Sequence, residues 1–298
     1  MIESARQRKD AERRATQDKT RMNSSWTKVV QFTKASACGN DFLIVEGKED
    51  FADLGEISRR LCDRHNGVGA DGVEWTFPDA GTDVRLRLIN ADGSEAEISG
   101  NGTRCVAAEI CSRTAKTEIT VRTGAGVKVC RLIEKHGSSF EFESEMGQAA
   151  VGGQLAIETM WVRAVGTNVS MGNPHFVIFV ERFQEGWQKQ AALIQTQPEF
   201  PQGTNVEYVV VRESNEIEIR IFERGAGETL SSGTGSCASA VAAIAGGRAA
   251  SPLKVVAPGG SQTVRWENRI NPSEGGLNQV FLRGPAKLIC RGEYFISL

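Results

Sequence analysis

The sequence has no surplus of basic residues: 35 Lys and Arg stand against 37 Asp and Glu, for a net charge of −2 and a pI of about 6.1. This excludes the basic footprint with which a domain grips nucleic acid. No apolar run approaches the ~20 residues of a membrane-spanning helix. The N-terminal charges have no apolar stretch behind them, so no secretory signal is expected. The seven cysteines (38, 62, 105, 111, 130, 237, 290) are odd in number, scattered, and without a Cys-x-x-Cys pair. They read as reduced thiols of a cytoplasmic protein rather than a disulfide framework, and no metal set is assigned. Residues 1–25 hold almost nothing to bury and are expected to form a disordered extension, with Met22 an alternative start. Glu3, Asp10, Glu12 and Asp18 break the acid-poor pattern of a mitochondrial presequence.

What the chain does have is repetition. ISGNGTRCVAAEI begins at residue 98 and SSGTGSCASAVAAI at 231, and the serines before their Gly-x-Gly turns, Ser99 and Ser232, lie 133 positions apart. The same offset takes Gly39-Asn40 onto Gly172-Asn173, and Asn90 at the end of VRLRLIN onto Glu223 at the end of IEIRIFE. The chain is an internal duplication. With 298 residues, 40% of them hydrophobic, it has material for two modest cores. The period is too long for a solenoid, whose repeats run roughly 20–50 residues.

Each copy reads as mixed and strand-rich, an α+β arrangement. A strand follows the Gly-Asn turn, then a helix (DLGEISRRLCDRH or EGWQKQAALIQTQ), then strands leading into a Ser-Gly-x-Gly turn and a second helix. VRLRLIN alternates, with Val84, Leu86 and Leu88 on one face, and IEIRIFE does the same with Ile217, Ile219 and Ile221. One further step puts Asn90 and Glu223 on the apolar faces, where each needs a partner. Hairpins are expected over 117–145, and the tail KLICRGEYFISL reads as another, turning at Arg291-Gly292. Residues 26–145 form the expected first half, 146–285 the second, with 286–298 returning to the first.

A Gly-x-Gly turn entering a helix presents free amides and the positive end of the helix dipole. Two such ends across a cleft suit a carboxylate and negative charge developing beside it. Neither turn is a dinucleotide or Walker loop, because the third glycine and the lysine are absent. Asn40, Asn90, Asn101, Asn173, Asn205 and Arg224 flank these turns, and a guanidinium able to grip a carboxylate suits an amino-acid-like ligand. His175 follows Asn173-Pro174, in place to tune a proton-transfer group.

GNDFLIVEG, DRHNGVGADGV, NADGSEAEISGNGTRC, SMGNPHFVIF, FPQGTNVEYV and ERGAGETLSSGTGSCASA resemble, in order, the signature blocks of diaminopimelate epimerase. The resemblance runs from about residue 28 to the C-terminus. It implies two pseudo-symmetric halves, each a barrel-like sheet around a central helix, with the site between them. It also implies cofactor-independent conversion of LL- to meso-diaminopimelate for lysine and peptidoglycan synthesis, by a cytoplasmic homodimer. By the same resemblance, Asn40, Asn90, Gly100, Asn101, Asn173, Asn205, Glu223, Arg224, Gly233 and Thr234 would bind substrate, and His175 and Glu223 would tune the acid and base. The family's two catalytic cysteines fall at Ser99 and Ser232.

The departure matters because an aliphatic hydroxyl ionises several units above a thiol, at about 1.36 kcal/mol per unit. One helix dipole offsets only up to ~2 kcal/mol of that. Cys105 and Cys237 lie inside the expected helices and read as small buried side chains, not replacements. Three readings stay open: an epimerase with natural serines and weak activity; a substrate binder, natural or made by Cys→Ser replacement; and an isomerase like those of phenazine biosynthesis, with Glu223 as its only candidate carboxylate.

Overall fold

The structure is a computed structural model that describes residues 27–47, 53–160, 163–268 and 278–297. The expectation for residues 1–25 lies outside them. Among the described residues, four helices accompany a 17-stranded sheet that closes on itself twice.

The first closure runs through β1 (Thr27–Ala37), β2 (Asn40–Glu46), β3 (Gly72–Phe77), β4 (Val84–Asn90), β6 (Glu118–Thr123), β7 (Gly126–His136) and β8 (Ser139–Gln148). The later part of β17 (Asn278–Ser297) completes it, pairing with β8 and then with β1. The second runs through β9 (Ala150–Glu158), β10 (Arg163–Ser170), β11 (Pro174–Phe179), β12 (Asn205–Glu213), β13 (Glu216–Glu223), β15 (Leu253–Ala257) and β16 (Gly260–Asn268). The start of β17 joins β16 to the end of β8, which leads into β9. Short strands β5 (Glu95–Ala96) and β14 (Gly227–Thr229) fold back on β4 and β13.

The duplication is visible element by element. Helix α1 (Leu54–Cys62) and helix α3 (Trp187–Gln195) begin and end 133 positions apart, and each connects a parallel strand pair. Helix α2 (Gly100–Arg113) joins the parallel strands β4 and β6, and α4 (Gly233–Ala245) joins β13 and β15. These two helices run inside the sheets. An eight-stranded barrel is normally filled by its own side chains, so an internal helix must be built of small residues. Helix α4 reads GTGSCASAVAAIA, and its Cys237, Ala238, Ala240 and Val241 pack against Ile217, Ile219, Ile221 and Val264. In the first half, Cys105, Val106, Ala107 and Ala108 pack against Leu86, Leu88, Val121 and Phe142. Helices α1 and α3 cover the outer faces, where Ile57 and Leu61 meet Val73 and Trp75, and Ala191 and Ile194 meet Phe176 and Val206.

Val84, Leu86, Leu88, Ile217, Ile219 and Ile221 are buried as their alternation requires. Cys105 and Cys237 are fully buried, and desolvation holds both thiols protonated. All seven cysteines are free. The tail differs from expectation. Arg291-Gly292 is no turn but the interior of β17, which continues along β1 to Ser297. β17 supplies the second neighbour of β1 and so closes the first barrel, and burial of that ladder outweighs the local turn signal. Gly292 answers a packing need instead, since a Cβ there would lie 2.7 Å from Phe32 Cζ.

Candidate active site

Both internal helices begin at a serine. Ser99 and Ser232 have extended backbones, and their Oγ atoms accept from the amides of Gly102 (3.1 Å) and Gly235 (3.2 Å). The serines are thus N-caps, the role for which this side chain is suited. The next amides, of Gly100, Asn101, Gly233 and Thr234, have no acceptor within their helices and stay available to a ligand. A Cβ at Gly100 would meet nothing within 4 Å, so that turn borders free space.

The two turns meet. Asn101 Nδ2 donates to Ser231 Oγ at 2.8 Å, and the Ser231 hydroxyl donates to the Cys38 carbonyl at 2.7 Å, stitching the halves together. The direction is set by Arg104, 1% exposed, whose guanidinium can only donate and does so to Asn101 Oδ1. The Asn101 amide nitrogen must therefore face Ser231 and Asn40 Oδ1, the latter at 2.7 Å. Asn40 in turn donates to Asp71, which Arg64 holds. Arg104 also donates to the Pro285 carbonyl and reaches Cys38 Sγ. No carboxylate pairs with it among the described residues.

The second half repeats the pattern with different chemistry. Asn173 Nδ2 reaches Thr234 Oγ1 at 3.5 Å, the counterpart of the Asn40–Asn101 contact. His175, 2% exposed, lies between Glu207 Oε1 (2.7 Å from Nδ1) and Asn173 Oδ1 (3.1 Å from Nε2). Asn173 can accept there but not donate with the same oxygen, so Nε2 carries a hydrogen. Nδ1 and the Glu207 carboxyl then face each other across a single proton in that 2.7 Å contact. Burial pushes the Glu207 carboxyl above the usual carboxylate range; His175 opposes this and the nearby Glu223 charge adds to it.

Asn205 braces this region, donating to the Pro174 carbonyl and accepting from the Arg224 amide. Glu223 accepts from Thr229 at 2.7 Å, and Asn90 donates to Ser94 at 3.0 Å, so both strand-end groups find the partners that their register demanded. Asn90 is thereby tied to its own turn rather than to the Asn40–Asn101 cluster. The Arg224 side chain is exposed, with one nitrogen on the Gln202 carbonyl. Gly233 borders Leu282 and Met146.

Sequence reasoning passed over Arg104, Ser231, Glu207 and Glu74. The last two are each other's counterparts at the 133 offset, and both are carboxylates inside apolar strands. That was the available signal. Glu74 is 1% exposed and its Oε1 has no hydrogen-bond partner. A Cβ on Gly102 would lie 1.7 Å from that oxygen. Alanine in a helix ordinarily gains up to about 1 kcal/mol over glycine. Here Gly102→Ala is expected to cost roughly 1–3 kcal/mol through overpacking, with Glu74→Ala recovering most of it. Denaturant unfolding of both single variants and the double variant measures this; strictly additive losses would show that the two residues do not touch.

A family profile for diaminopimelate epimerase matches residues 32–151 and 167–289. The chain belongs to the diaminopimelate epimerase family. Among its relatives, the diaminopimelate epimerase of Desulfovibrio desulfuricans is 36% identical over 290 residues, covering 90% of this chain and 99% of that one. That of Pelotomaculum thermopropionicum is 38% identical over 287 residues, covering 89% and 99%. Among solved structures, a phenazine biosynthesis protein of the PhzF family from Bacillus anthracis superposes with a TM-score of 0.69 at 15% identity, covering 90% of this chain and all of that one. A hydroxyproline epimerase from Agrobacterium vitis, with bound trans-4-hydroxy-L-proline, gives 0.64 at 15%, covering 92% and 93%. At such identity the likeness shows the fold alone, and the family assignment rests on the profile and the sequence relatives. As a member of the diaminopimelate epimerase family the chain is an isomerase. No helix among its described residues is long and apolar enough to cross a membrane.

Proposed function

We propose that the chain binds LL- or meso-2,6-diaminopimelate between the two capped turns and moves its α-proton slowly. It would serve lysine and peptidoglycan synthesis without a cofactor. The observation that carries this reading is the Asn101–Ser231 hydrogen bond, which brings the amide ends of α2 and α4 to one place. The free amides of Gly100, Asn101, Gly233 and Thr234 suit an α-carboxylate, and they stabilise the charge that builds on it as the α-proton leaves. Epimerisation needs a base on one face of the α-carbon and an acid on the other. Ser99 and Ser232 supply only hydroxyls there, with Glu223 and the His175–Glu207 pair as the titratable groups near the second turn.

Arg224 and the asparagines suit a ligand with a second amino-acid end. Arg224→Ala is expected to weaken diaminopimelate binding by about 1.5–3 kcal/mol, the worth of a charge-assisted contact, and to leave binding of lysine little changed. Calorimetry with meso-diaminopimelate, lysine and alanine tests this; equal affinity for alanine would sink the ligand reading. A second reading, binding without turnover, is favoured by the cap bonds, since each serine Oγ accepts an amide hydrogen and, among the described residues, neither bonds to a base. Proton exchange of bound LL-diaminopimelate in deuterated solvent separates the two.

A further inference from the structure

We infer that Glu74 is a positioning residue for the ligand's carboxylate: its carboxyl, seated beneath the first turn of α2, sets how strongly the amides of Gly100 and Asn101 hold an anion. The inference rests on the proposed ligand carboxylate lying at that turn. Glu74 stands on β3 between Ile44 of β2 and Leu88 of β4, on the barrel's inner face. Its Oε1 is buried, bonded to nothing, and directed at Gly102, whose amide is the one capped by Ser99. The matching carboxylate, Glu207, faces Gly235 in the same way, a Cβ there lying 2.9 Å from its Oε1, but Glu207 has His175 as a partner. The position that corresponds to His175 is Phe42, so Glu74 has no imidazole to share a proton with.

Other charged groups around Glu74 are engaged elsewhere. On α2, Arg104 is turned to Asn101, Cys38 and Pro285, and the Cys105 thiol is held protonated by burial. On β2, Asp41 pairs with Lys34 of β1 and with Arg64. With burial unopposed, the Glu74 carboxyl is pushed up to about 8 and is neutral at neutral pH. Neutral, it leaves the helix end to the ligand. Ionised, it takes that positive pole for itself and repels a carboxylate at the same turn.

The test compares the parent with Glu74→Gln, which keeps the shape and removes the charge. Amide resonances of Asn101 and Gly102 in the ligand-free protein should shift with pH near 8 in the parent and not in the variant. Calorimetry with meso-diaminopimelate should give nearly equal affinities at pH 6.5, and at pH 9 affinity roughly tenfold tighter in the variant. The ligand's own titration is common to both proteins and cancels in the ratio. Amides indifferent to Glu74, or a ratio that does not change with pH, overturns the inference. If neither protein binds diaminopimelate at any pH, the ligand reading fails by itself. The same ratio measured with inorganic phosphate then decides: a tenfold rise supports the inference, and a flat ratio or no phosphate binding overturns it.

Discussion

Epimerisation of LL-diaminopimelate is expected to rise by roughly 10²–10⁴-fold, the usual worth of a well-placed acid or base, when Ser99→Cys and Ser232→Cys are made together. A thiol near pKa 8.5 at a helix N-terminus is within reach of a thiolate, whereas the serine hydroxyl would cost several units at about 1.36 kcal/mol each. Neither single replacement should restore full inversion, because each face of the α-carbon needs its own group, although one cysteine permits exchange from its face. Stability should move the other way. Each serine now caps a helix, and loss of a good cap costs typically ~1 kcal/mol, so the double variant is expected to be faster and less stable. Deuterium uptake and inversion, followed by NMR, measure the rate. A parent as fast as the double variant would mean that serine, or another group, already performs the transfer.

Glu74→Gln is expected to change the pH dependence of stability strongly. The ordinary glutamate value is 4.5, and in the folded chain Glu74 is pushed up to about 8. Between those values the folded protein holds a proton that the unfolded chain has released. Stability therefore falls as pH rises, by ~1.36 kcal/mol per unit, and levels off above about 8. The variant lacks this slope. Its advantage over the parent should be small near pH 4, grow through the window, and reach up to about 5 kcal/mol at pH 9. Denaturant unfolding of both proteins from pH 4 to 9 gives the difference directly, with all other titrations cancelling. A difference that stays constant would mean that water or a partner reaches Glu74 in the folded state.

Much of this protein was legible in its residues. The 133-position offset already paired Gly39-Asn40 with Gly172-Asn173, β4 with β13, and Ser99 with Ser232, because a duplicated chain repeats its local patterns wherever the fold repeats. Alternation in VRLRLIN and IEIRIFE placed the buried faces, and put Asn90 and Glu223 where they would need partners. Local signals misled at the tail, where Arg291-Gly292 looks like a turn and is strand, since the open edge of β1 lies far away in sequence.

The sequence by itself determined the duplication, the strand-rich halves, the two Gly-x-Gly helix ends and the family, all of which depend on contacts within a few residues or on repetition along the chain. Only the tertiary structure decided which groups stand beneath those helix ends. Asn101 meets Ser231, and Glu207 meets His175, while Glu74 has no partner among the described residues, although at the level of pattern Glu74 and Glu207 are copies of each other. A carboxylate's protonation is set by what surrounds it in three dimensions, and a phenylalanine in place of a histidine across one strand pair is enough to make two copies chemically unequal.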